Sequence, residues 1–100
     1  MNFEEYRRED AVGLASLVAR GDVKPVELLD LALARRDGVD GDLNTLTIDD
    51  EPFARRTLAD VLPVGRFSGV PFLLKDLYAF LGGTAISNGS RLVCPFVQQR

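Results

Sequence analysis

The chain has 100 residues, 46% of them hydrophobic and 27% charged, a globular balance for about one domain of the usual ~100–200 residues. Its net charge of −3 argues against a general affinity for nucleic acid or anionic lipid, since both need a basic surface. It contains no histidine, so a Ser-His-Asp or Cys-His arrangement and a histidine-ligated zinc site are all excluded within these residues.

In chain order, the first ten residues are charged and lack the apolar stretch of a signal peptide. A helix is predicted over residues 10–20, because Asp10 can cap it and Ala11, Leu14, Ala15 and Val18 repeat on one face. Gly21, after the basic Arg20, is its stop. A second helix begins at Pro25 and is closed by Arg35 and Arg36. Leu28, Leu29, Leu31, Ala32 and Leu33 give it a broad apolar face. Gly38 and Gly41, among aspartates, predict a turn.

Residues 43–48 read as a weak strand, and residues 50–62 as a third helix with Ala54, Leu58, Val61 and Leu62 on one side. Pro63 and Gly65 end that helix. Residues 72–74 form a continuous apolar run, the pattern of a strand covered on both faces. Residues 82–90 predict an irregular glycine- and serine-containing loop, whose amides and hydroxyls could hold an anion but which lacks the ending of a P-loop. The tail over residues 92–100 carries no stop signal and reads as interrupted. The arginine pairs 7–8, 35–36 and 55–56 read as a solvated surface, and Cys94 as a small packed hydrophobe.

Without histidine, proton transfer falls to a carboxylate, a tyrosine, the cysteine or a lysine. Only two of the twelve cationic residues are lysines, Lys24 and Lys75. Lys75 ends the most apolar predicted strand, where withdrawal from water would favour a neutral amine. A snorkelling lysine or an ion pair with Asp76 is the plainer alternative.

The run Gly65-Arg66-Phe67-Ser68-Gly69-Val70-Pro71-Phe72-Leu73-Leu74-Lys75-Asp76 resembles the Gly-x-x-x-Gly-[Ile/Val]-Pro-x-x-x-Lys-Asp segment of amidase signature enzymes. Gly83 and the Gly89-Ser90 ending are similar to that family's Gly-x-x-Thr-Thr-x-Gly-Ser stretch, although Thr84, Ala85 and Ile86 replace its threonine pair. The resemblance covers nearly the whole chain, and Leu77 after Lys75-Asp76 is more like general amidases and cyclic-amide hydrolases than tRNA-dependent amidotransferase subunits. It implies a Ser–cis-Ser–Lys triad in which Lys75 is the catalytic base. The family's later Gly/Ser-rich stretch, which supplies both serines, has no match in these residues, and neither Ser87 nor Ser90 corresponds to them.

The resulting expectation is an α/β fold, with N-terminal helices leading into the first strands of an amidase-type α/β/α mixed sheet, incomplete as given. Residues 1–100 would be the N-terminal portion of a single amidase-like domain, cytoplasmic because one cysteine suits a reducing compartment. The expected partner is a small-molecule amide, with no cofactor, metal, nucleic acid or membrane. Homo-oligomerisation or docking to a missing remainder is also anticipated. The alternatives are a non-catalytic remnant or interaction module, or part of a tRNA-dependent amidotransferase subunit. Alone, the 100 residues are expected not to turn over.

Overall fold

The computed structural model describes residues 1–44, 46, 50–75 and 82, together with the backbone of 85–86 and 96–97. The chain divides into two units. The first is Met1–Asn44 with Asp50–Pro71, and the second is Thr45–Asp49 with Phe72–Arg100.

The first unit is helical. Helix α1, Phe3–Arg8, was not anticipated, yet its start is encoded locally. The Glu5 amide donates to Asn2 Oδ1 and the Asn2 amide to Glu5 Oε2, both at 2.9 Å, a reciprocal capping box. Helix α2, Ala11–Ala19, begins as predicted, with the Gly13 amide donating to Asp10 Oδ1 at 2.7 Å. It ends in a Schellman motif: Gly21 takes φ 79°, its amide donates to Val18 O, and the Asp22 amide donates to Leu17 O.

Helix α3, Pro25–Leu43, starts at the predicted proline but runs through the turn predicted at Gly38 and Gly41. It stops at Asn44, which adopts the left-handed conformation and donates its amide to Asp40 O. Leu43, expected to open a weak strand, is therefore the last helical residue. Residues 45, 47 and 48 of that expected strand lie outside the described residues. Helix α4, Glu51–Ala59, is shorter than predicted, and Val61 beyond it is 98% exposed rather than on an apolar helix face.

The core of this unit is Leu14, Val23 and Leu28, with Leu28 wholly buried. Tyr6, Leu17, Val18 and Val70 pack against it, which joins α1, α2, α3 and the segment after α4. Ala15 and Leu29 are buried alongside, and Val18, Leu31, Ala32 and Leu33 are half-buried, so most of the periodic positions read from the sequence face inward, whereas Ala11 is exposed. The arginine pairs 35–36 and 55–56 lie largely at the surface, as read, and Arg35, Arg36 and Arg55 also make specific contacts there. Arg35 lies over the Phe3 ring at 5.2 Å, and Phe3 stacks on Tyr6. On α4, Arg55 pairs with Asp30 of α3 at 2.8 Å and with Glu51 at 3.0 Å, while Arg36 of α3 reaches Glu51 at 3.8 Å.

In the second unit, strands β1, Ala85–Ile86, and β2, Phe96–Val97, pair antiparallel. This corrects the expected α/β/α mixed sheet: among the described residues the fold is helical, and the pairing extends over two residues per strand. Residues 72–74, expected as a doubly covered strand, have no regular secondary structure. Phe72 is 81% and Leu73 73% exposed. An apolar run becomes an interior strand only when neighbouring strands and two covering layers surround it. The four helices instead spend their apolar faces on each other and on Val70.

Candidate functional site

The site indicated by the sequence is the run from Gly65 to Lys75. It opens with two overlapping turns. The Ser68 amide donates to Gly65 O at 3.3 Å, and the Val70 amide donates to Phe67 O at 3.1 Å. In the second turn Gly69 has φ 85° at the third position, the place where a type II turn requires positive φ. The Ser68 hydroxyl donates to Pro63 O at 2.8 Å and ties the turn to the segment after α4.

Space at Gly69 is as restrictive as conformation. A Cβ there would stand 3.1 Å from both Pro25 Cγ at the start of α3 and Val18 Cγ1 on α2. The next residue, Val70, packs on the Leu14–Val23–Leu28 core. The Gly69-Val70-Pro71 triplet is thus fixed to the helical unit by a turn, a close backbone approach and a partly buried side chain. Sequence reasoning missed this anchoring role. Its one visible signal was a glycine directly before a β-branched residue and a proline.

Pro71 ends the first unit and Phe72 begins the second. Lys75, the predicted base, is exposed, as are Phe72, Leu73 and Leu74 before it, so the expected withdrawal of the lysine from water is not what the described residues provide. Asp76, Gly83, Thr84, Ser87, Asn88, Gly89, Ser90 and Cys94 lie outside the described residues. The expected Lys75–Asp76 pairing lies outside them too. Gly82 sits in a turn.

Among the described residues, the perturbed titratable groups lie in the helical unit. Hydrogen bonds donated to Asp30 and Glu51 hold the Arg55 guanidinium more firmly protonated than a free arginine, and burial raises the Tyr6 phenol above its ordinary value. Among the described residues, no three carboxylate or cysteine side chains are grouped so as to hold a metal ion, and no helix is long and apolar enough to cross a membrane.

Comparison with known proteins places the chain beside enzymes that act on amides. A protein named 6-aminohexanoate-cyclic-dimer hydrolase, from Pseudomonas sp. (strain NK87), is 37% identical over 81 residues, covering 81% of this chain and 15% of that protein. The protein of the same name from Paenarthrobacter ureafaciens matches with the same figures. A protein named "Putative amidase AmiC", from Mycobacterium leprae (strain TN), is 37% identical over 67 residues, covering 67% of this chain and 14% of that protein. The chain thus spans about 15% of the length of the curated relatives it matches. No protein-family model matches it, and no solved structure does.

Proposed function

We propose that this chain carries the lysine-bearing segment of an amidase-signature hydrolase that cleaves carboxamide C–N bonds, cyclic amides included, and that Lys75 is its general base. The observation that carries this reading is the 37% identity over 81 residues to a named cyclic-amide hydrolase, joined to the Gly69-Val70-Pro71 and Lys75-Asp76 motif within one run. On this reading residues 1–100 are one portion of an amidase-like domain in a reducing, cytoplasmic setting.

The chemistry follows from what a lysine can do once its amine is neutral. The amine takes a proton, through a bridging serine, from a nucleophilic serine. That serine attacks the amide carbonyl, the amine product leaves, and water releases the acid from the acyl-enzyme. The two serines have no match in these 100 residues. A working site also needs residues 72–75 covered, because a lysine surrounded by water keeps its proton.

The test is hydrolysis of linear and cyclic amides by the native gene product purified from its own cells, followed as amine release. Lys75→Ala is expected to lower kcat by about 10²–10⁴-fold, the usual contribution of a general base, with an unchanged circular dichroism spectrum. A kcat near that of the wild type would overturn the assignment.

A second reading, a non-catalytic interaction module, is favoured by one observation: Phe72, Leu73 and Leu74 are consecutive, large, apolar and exposed. A partner chain co-purifying in stoichiometric amount, with no hydrolysis of any amide, would establish it in place of the first.

A further inference from the structure

The first three residues of the Gly69-Val70-Pro71-Phe72-Leu73-Leu74-Lys75 run are locked and the last four are exposed, and this contrast has a consequence for the lysine. From Pro71 to Lys75 the chain advances four residues, so their α-carbons can be no more than about 14 Å apart at ~3.6 Å per residue. That limit holds for any arrangement of the two units. The reach of Lys75 is therefore measured from Pro71, two residues after Gly69.

We infer that Gly69 is a positioning residue for Lys75: its left-handed turn, seated against Pro25 and Val18, sets the point from which the lysine-bearing segment departs. This rests on the reading of Lys75 as the base. Three independent features converge on it. The turn closed by the Val70 amide on Phe67 O requires positive φ at Gly69. At 3.1 Å from Pro25 Cγ and Val18 Cγ1, a Cβ there would be tighter than ordinary contact, so those side chains would have to give by a few tenths of an ångström. Val70 is held in the core one residue later, so the turn cannot slide to relieve a clash. A side chain at residue 69 is strained at this φ and crowds Pro25 and Val18, so the turn or those side chains must shift, and a displacement near 1 Å at a reacting group can cost about a hundredfold in rate.

The experiment compares Gly69→Ala, Lys75→Ala and Gly38→Ala in the native gene product, with kcat and KM for amide hydrolysis and a thermal melt for each. Gly38 is a control, since a Cβ there meets nothing within 4 Å. Gly69→Ala is expected to fold and to lose about 10–100-fold in kcat with KM nearly unchanged, while Gly38→Ala keeps the wild-type rate. If Gly69→Ala does not fold, the double variant Val18→Ala/Gly69→Ala, which removes one of the two close contacts, replaces it under the same criteria. A folded residue-69 variant with wild-type kcat, or with only KM raised, overturns the positioning role while an inactive Lys75→Ala leaves the base assignment standing. A fully active Lys75→Ala overturns both.

Discussion

The guanidinium of Arg55 on α4 reaches across to Asp30 on α3 at 2.8 Å while its Nε holds Glu51, one turn earlier on its own helix, at 3.0 Å. Helix α4 has nine residues and none is buried, and a helix that short is not stable by itself in water. Its attachment to α3 depends on this two-sided grip and on half-buried residues such as Phe53, Ala54 and Leu58. Arg55→Ala should speed amide exchange throughout α4 and leave the amides around Leu28 protected. Arg55→Lys should recover only part of the loss, since an ammonium cannot present two parallel donors to two carboxylates. High salt should weaken the wild-type clamp in the same direction. Unchanged exchange in Arg55→Ala would show that apolar contact alone secures the helix.

Helix α3 keeps two glycines, Gly38 and Gly41, in its second half, and a Cβ at either meets nothing within 4 Å. Alanine at each should stabilise the helix by about 0.5–1 kcal/mol, through its smaller entropy loss on folding. For a domain of this size that is several degrees in the thermal midpoint. A melt that stays in place, or moves downward, would mean residues 37–43 are not helical in solution.

Burial raises the Tyr6 phenol above its ordinary value, so the folded state holds the neutral form more tightly than the unfolded chain does. The sign follows from linkage. The contribution of Tyr6 is fully present below the ordinary phenol range near pH 10 and is lost as pH rises through the higher folded value. Stability should therefore fall on the alkaline side of about pH 10, and Tyr6→Phe should flatten that fall without altering stability near neutrality through ionisation. Identical alkaline unfolding in the two proteins would remove Tyr6 as the cause.

The features legible in the sequence were those fixed by neighbours along the chain. Asp10 caps α2, Gly21 ends it and Pro25 starts α3, each through bonds or conformations within a few residues. The spacing of Leu14, Ala15, Leu28 and Leu29 also named residues that are in fact buried. Helix α1 had its own signal, Asn2 three residues before Glu5, which was passed over in a charged N-terminal stretch. What failed depended on partners. Gly38 and Gly41 are turn formers by preference, but helical hydrogen bonding continues through them to Asn44. The apolar character of residues 72–74 says that they can be covered, and says nothing of what covers them. At the candidate site the lysine was singled out by residue type and motif, whereas the role of Gly69 depends on Val18 and Pro25, which the sequence does not mark as its neighbours.

The Leu14–Val23–Leu28 core brings together residues that lie close along the chain, on α2, on α3 and in the connection between them. Contacts of such short sequence separation form fast, on the microsecond-to-millisecond scale of helical proteins, because little loop entropy is lost in making them. Val70 joins this core from far along the chain, beyond α3 and α4, and a contact of such long sequence separation costs more loop entropy to make. The local Leu14–Val23–Leu28 contacts are therefore expected to form early and the Val70 contact, which anchors the start of the lysine-bearing run, late in the folding of this unit.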